Sequence, residues 1–194
     1  RPTHRNTSWD AARFEVCAHT WADVSEPGFG VAVLNDGRYG HDCLGDACST
    51  TMRISLLRAA CYPDPEADRG THTVTCSLLP HDGTLIEVLP EAWALNVPAR
   101  MVDAPPAPSV ASADHPGVVI TAVKAADDGS GDLVVRLHEA LGGRARTTLR
   151  TAAAFASWAA CDLLERPTGD QQPFGDGVAL ELRPFEVRTL RLST

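Results

Sequence analysis

Residues 33–42, VLNDGRYGHD, gather an Asn, two Asp, an Arg, a Tyr, a His and two Gly into a space that an ordinary turn fills with one or two such residues. Four of these side chains, Asn35, Asp36, Tyr39 and Asp42, suit recognition of a hydroxylated ligand. Amide and carboxylate groups exchange hydrogen bonds with hydroxyls, a phenol offers a ring face and a donor, and glycine lets backbone approach closely. A second reading fits the same residues. Asn and Gly tolerate left-handed dihedrals and Asp accepts from backbone amides, which together build a demanding β-corner. His41-Asp42 has the makings of a proton-transfer pair, but neighbours on a strand point to opposite faces, so the two are not expected to work together.

Other clusters carry less chemistry. DDGSGD, residues 127–132, lacks the alternate spacing and distal Glu of a calcium hand and reads as a hairpin turn. PDPEAD, residues 63–68, reads as a solvated, Pro-stiffened loop. His19 reads as a hydrogen-bonded packing residue within a strand. In HRNTSWD, Trp9 and Asp10 either border a cleft or anchor a strand entry. The six cysteines contain no pair separated by two residues, so the usual zinc spacing is absent. They are expected as free thiols in a reducing, cytoplasmic compartment, with Cys43 and Cys48 the one pair easy to bridge and Cys76 a small buried hydrophobe. No GxSxG elbow, HExxH, phosphate loop or GxGxxG follows a strand. No catalytic or metal-binding residue is assigned to this chain.

The elements that must position these residues are strands. Residues 14–22 alternate, with Phe14, Val16 and Ala18 on one side and Glu15, Cys17, His19 and Trp21 on the other. Gly30–Leu34 is a short apolar run suited to a strand buried on both faces. Residues 52–57 and 72–78 alternate again, separated by turn-rich segments such as SEPGFG and YPDPEADRG. Trp21 and Trp93 sit in alternating apolar surroundings and look like core. Residues 103–117, DAPPAPSVASADHPG, hold four Pro and read as an extended linker. Strands resume at 118–124, 133–138, 145–151, 178–182 and 185–192. TAAAFASWAACDLLE favours helix by its Ala content, yet Phe155, Trp158, Leu163 and Leu164 serve a strand and its corner equally well. The fold predicted is all-β: part of a larger sandwich over 1–102, a linker over 103–117 and a small sandwich over 118–194.

Composition narrows the partners. The net charge is -8, and the 17 Lys and Arg are scattered, which disfavours nucleic acid and anionic membrane. A neutral ligand fits better. No apolar run approaches the roughly 20 residues of a membrane span. The Arg1–Arg5 start has no apolar segment after it, so no signal peptide is expected; with no initiating Met, the chain is expected to start partway into something longer.

RPTHRNTSWDAARFEVCAHTWADVSEPGFGVAVLNDGRYGHD resembles the late β-rich region of the α-mannosidases of glycoside hydrolase family 38, as does RISLLRAACYPDPEADRGTHTVTCSLLPHDG. PFEVRTLRL resembles the last strand of that family's small C-terminal sandwich. The segment Cys43–Cys48 departs from the family's more apolar start to the next strand. The resemblance implies retaining hydrolysis of α-mannosides by a carboxylate nucleophile and a carboxylic acid. It also implies a zinc ion, or another divalent metal, held by His and Asp against the sugar. In the family those groups lie in an N-terminal α/β domain and a helical bundle, neither of which is present here.

Three roles follow. The first is a non-catalytic β-region, inactive alone, that packs on its own N-terminal catalytic domain and meets a mannose-containing glycan through Asn35, Asp36, Tyr39 and Asp42. The second is a self-sufficient carbohydrate-binding module. The third is a structural surface, for instance in a homo-oligomer.

Overall fold

A computed structural model describes residues 2–4, 6–46, 48–105 and 107–194. Arg1 and Arg5 of the start read above, Ala47 between the two loop cysteines, and Pro106 of the Pro-rich segment lie outside the described residues. The chain divides into two compact units that meet in sequence at Val102 and Asp103.

The first unit opens with a one-turn helix, α1 (Ser8–Ala11), started by a capping box. The Asp10 amide donates to Thr7 Oγ1 and the Thr7 amide donates to Asp10 Oδ2, both at 3.2 Å. Six strands follow: β1 (Val16–Cys17), β2 (Trp21–Glu26), β3 (Phe29–Asn35), β4 (Gly40–Gly45), β5 (Thr50–Ile54) and β6 (Cys76–His81). They form two antiparallel sheets of order β1-β4-β5 and β2-β3-β6. The expected strand over 14–22 is broken at Thr20, whose φ of 67° turns the chain between β1 and β2. Phe14 consequently stands in solvent.

β3 is the central strand of its sheet, and its Ala32 and Leu34 are buried under a second helix, α2 (Val88–Asn96), through Val88 and Ala92. Sequence reading missed α2 for physical reasons. Glu87 gives no side-chain cap, and Pro90 interrupts the pattern, although a proline in the first turn costs no hydrogen bond because that amide has no partner within the helix. Trp93, expected in the core, is instead 41% exposed on α2.

The second unit contains β7 (Ala111–Ala113), β8 (Val118–Ala125), β9 (Leu133–Glu139), β10 (Ala145–Thr151), β11 (Ser157–Cys161), β12 (Gln172–Pro173), β13 (Val178–Leu182) and β14 (Val187–Ser193). Two antiparallel sheets, β12-β11-β14-β9-β8 and β13-β10-β7, enclose one core. Val135, Leu137, Leu190 and Leu192 of the first sheet meet Leu149, Val178, Leu180 and Leu182 of the second. Every second residue of β13 is buried, the burial period of a strand with one covered face. The ambiguous Ala-rich stretch is β11, with Phe155 and Trp158 packed on the core and Leu163 and Leu164 exposed. β7 lies inside the segment expected as a linker and pairs with β10. Asp114 just after it receives the Thr147 hydroxyl and the Thr148 amide, each at 2.8 Å.

Candidate functional site: the corner between β3 and β4

Asn35 ends β3 and is fully buried. Its Oδ1 accepts from the amides of Gly37 at 3.0 Å and Arg38 at 2.6 Å, an Asx-turn, while Gly37 adopts a φ of 116° that a residue with Cβ resists. Its Nδ2 faces His41 Nε2 at 3.4 Å, and His41 Nδ1 lies 3.2 Å from the Tyr39 carbonyl. Because a carbonyl can only accept, Nδ1 carries the proton and Nε2 is the acceptor. Asn96 of α2 donates to the Asn35 carbonyl at 2.9 Å and anchors the corner from behind. Among the residues expected to meet a ligand, Asn35 is therefore spent on building the turn.

Asp36 is exposed and bonded to a distant segment. Its Oδ2 accepts from the Thr75 amide at 2.7 Å, and its own amide donates to the Thr75 carbonyl at 3.2 Å. Arg38 Nη2 donates to the Thr73 carbonyl at 3.4 Å. These bonds use the backbone of 73–75 locally, so the strand expected from residue 72 begins only at Cys76. Cys76 is exposed, not buried, and all six cysteines are free thiols.

Tyr39 is 56% exposed and stacks on His19, with ring centroids 5.4 Å apart and planes 8° from parallel. His19 is thus a ring partner beside the β1–β2 turn, not a hydrogen-bonded residue inside a strand. Asp42 points away from His41, as alternation requires. It takes Arg53 Nε on both oxygens, at 2.9 and 3.0 Å, and Nη2 on Oδ2 at 2.5 Å. Hydrogen bonds and charge from Asp42 hold the Arg53 guanidinium still more firmly protonated. With Arg13, Phe14 and Leu44 the pair borders a depression of about 280 Å3 on the β4–β5 hairpin. The structure thus places Asp36 and Tyr39 at the surface of the corner, Asn35 beneath them, and Asp42 beside Arg53.

Asp10, offered as a cleft residue, caps α1, whereas Trp9 beside it is 82% exposed. Sequence reading also missed a buried pair, His81 and Asp23, with Nε2 2.8 Å from Oδ1. It is not a hidden catalytic dyad. The Gly83 amide donates to His81 Nδ1 at 3.2 Å, so both ring nitrogens are engaged within the chain. In the second unit, the buried Glu139 accepts from the amides of Leu141, Gly142 and Phe185 at 2.8–2.9 Å. Burial pushes its carboxyl up, but hydrogen bonds from the Phe185, Gly143, Leu141 and Gly142 amides outweigh that and hold it below its usual range. Among the described residues no group of three or more His, Cys, Asp or Glu could hold a metal ion, and no helix is long and apolar enough to cross a membrane.

Against known proteins, residues 1–66 match the glycosyl hydrolases family 38 C-terminal domain. Residues 117–190 match the glycosyl hydrolases family 38 C-terminal beta sandwich domain. The chain is 42% identical over 99% of its length to Alpha-mannosidase 2C1 of Homo sapiens and 36% identical over 98% to Alpha-mannosidase G of Dictyostelium discoideum. It covers 19% and 18% of those two proteins, so it spans about a fifth of the length of the curated relatives it matches. The crystal structure of an alpha-mannosidase from Enterococcus faecalis V583 shares the fold, with a TM-score of 0.70 at 21% identity over 98% of this chain and 22% of that one.

Proposed function

The chain belongs to glycosyl hydrolase family 38 as its C-terminal β-region, and from that membership we propose that it is the non-catalytic part of a retaining, metal-dependent α-mannosidase. The observation that carries this reading is the placement of the two family matches. One match, residues 1–66, falls over the first compact unit, and the other, residues 117–190, falls inside the second. The catalytic carboxylates and the divalent metal, zinc by the family resemblance, are assigned to polypeptide outside these 194 residues, where the metal would bind sugar hydroxyls.

In this reading the β3–β4 corner faces a mannose-containing glycan from one wall of the cleft. Asp36 supplies the charged acceptor, Tyr39 the ring, and Asp42 acts only as a pair with Arg53. Asn35 and His41 hold them in place. The free thiols support a reducing, cytoplasmic setting.

The test is activity. The pure 194-residue chain should not turn over an aryl α-mannoside with or without zinc, whereas the full-length enzyme should. Zinc-dependent turnover by the chain alone would overturn the assignment. The exposed Tyr39–His19 stack also favours a second reading, a sugar-binding module that works without the catalytic part, since sugars stack on exposed rings. Binding of mannose oligosaccharides to the isolated chain separates the two.

A further inference from the structure

We infer that His19 is a positioning residue for substrate binding, holding the Tyr39 ring at the angle in which it meets a sugar. The inference rests on the reading that the corner lines the glycan cleft, and adds a residue from a different turn.

Two observations lead to it. The rings are stacked within 8° of parallel, although both residues are exposed and neither is pressed into place by a surrounding core. Offset stacking at 5.4 Å lies within the favourable range for aromatic pairs. The turn that carries His19 is also strained. Thr20 has a φ of 67°, and a β-branched residue in the left-handed region is a genuine outlier, of the kind that persists only where the surroundings over-determine it. The surroundings do so here. The Asn35 amide donates to the Thr20 carbonyl at 2.9 Å, and the Ala18 amide donates to the Tyr39 carbonyl at 2.9 Å. The His19-Thr20 turn and the Asn35–Tyr39 corner are therefore bolted together on both sides of the ring pair.

The chemistry follows from this geometry. A lone exposed tyrosine samples several rotamers, and ordering it against a ligand costs affinity. With His19 against one face, the ring is ordered before the sugar arrives, leaving the rest of its surface for the apolar C–H face of a pyranose. A platform of this kind binds ground state and transition state alike, so its loss appears in KM and not in kcat.

The experiment uses the full-length enzyme and an aryl α-mannoside, with the variants Tyr39→Ala, His19→Ala, His19→Phe and the double variant. Melting temperature is recorded for each. His19→Ala should raise KM by about twofold to tenfold, the scale of immobilising one side chain, at nearly constant kcat and melting temperature. His19→Phe, which keeps a flat ring, should restore KM. The double variant should be no worse than Tyr39→Ala, because His19 acts only through Tyr39. If Tyr39→Ala leaves KM unchanged, the cleft reading fails and this inference with it. If Tyr39→Ala raises KM but His19→Ala does not, or His19→Ala lowers the melting temperature alone, the inference fails while the cleft reading stands. Should His19→Ala fail to fold, the KM of His19→Gln, polar but without an aromatic ring, decides in its place.

Discussion

Asn35 Nδ2 stands 3.4 Å from His41 Nε2, and both side chains are withdrawn from water. The amide's other end holds the backbone amides of Gly37 and Arg38. One buried side chain thus satisfies two turn donors and an imidazole acceptor. Asn35→Ala strands all three, and leaving buried polar groups unpaired costs about 1–3 kcal/mol. A matching fall in the denaturant midpoint is expected, with Cys76–His81 losing amide protection first because β6 pairs with β3. An unchanged midpoint would refute the role given to Asn35.

Gly142 makes the equivalent demand in the second unit. Its φ is 81°, and a Cβ built there comes 2.7 Å from Cζ of Phe185, whose own φ is 58° and whose amide is held by Glu139. Gly142→Ala combines left-handed strain with overpacking, so it should destabilise the protein by about 1–3 kcal/mol. Equilibrium unfolding measures it. Gly143→Ala, where a Cβ would meet nothing within 4 Å, is the control and should be close to neutral.

Acid should loosen the second unit in a definite window. The Arg183 amide and the Arg188 and Arg183 guanidiniums bring the Glu186 carboxyl down from an ordinary 4.5 to about 2, against the opposing effect of burial. A carboxyl with a depressed folded-state pKa gives stability that is full above its unfolded value and lost as pH falls through the folded one. The loss from Glu186 therefore runs from about pH 4.5 down to about 2. Glu139 is depressed in the same direction and adds to it. Glu186→Gln should flatten the stability curve across that interval. An unchanged slope between the variant and the parent would exclude Glu186 as a contributor.

What the sequence disclosed divides along physical lines. The second unit was legible because β8, β9, β10, β13 and β14 alternate cleanly or run apolar between Gly-rich turns, so period alone finds them. The first unit was less so. Thr20 breaks the 14–22 alternation by a backbone angle that no residue type announces. The 73–75 backbone is captured by Asp36 and Arg38, which lie more than thirty residues away in sequence. The corner VLNDGRYGHD was visible as unusual, but burial divides its residues, and burial depends on α2, which carries no cap signal. The same limit hid the His81–Asp23 pair, whose members are 58 residues apart.

The boundary of the second unit makes its own prediction. β7 pairs with β10 through Leu149↔Ala113 and Thr151↔Ala111, and the Asp114 carboxylate clamps Thr147 and Thr148. A fragment of residues 103–194 keeps these bonds, whereas one of residues 118–194 loses a strand and bares the β10 edge. Amide dispersion should be native-like for the longer fragment and degraded or aggregation-prone for the shorter. Equal dispersion would mean that β7 adds nothing to the sheet.

Asp36 carries the sharpest test of the proposal that the corner faces a glycan. Its Oδ2 already accepts from the Thr75 amide at 2.7 Å, so structural and binding roles must be pulled apart. Asp36→Asn retains an oxygen able to accept that amide but removes the charge. In the full-length enzyme this variant should keep its melting temperature while kcat/KM for a mannoside falls by about tenfold to a hundredfold, the scale of one or two charge-assisted hydrogen bonds. Asp36→Ala removes both, and should lose stability as well as rate. Tyr39→Phe follows Asp36→Asn if its hydroxyl also meets the sugar. The opposite pattern, normal kinetics in Asp36→Asn with a stability loss confined to Asp36→Ala, would leave the corner as a fold element and remove it from the substrate site.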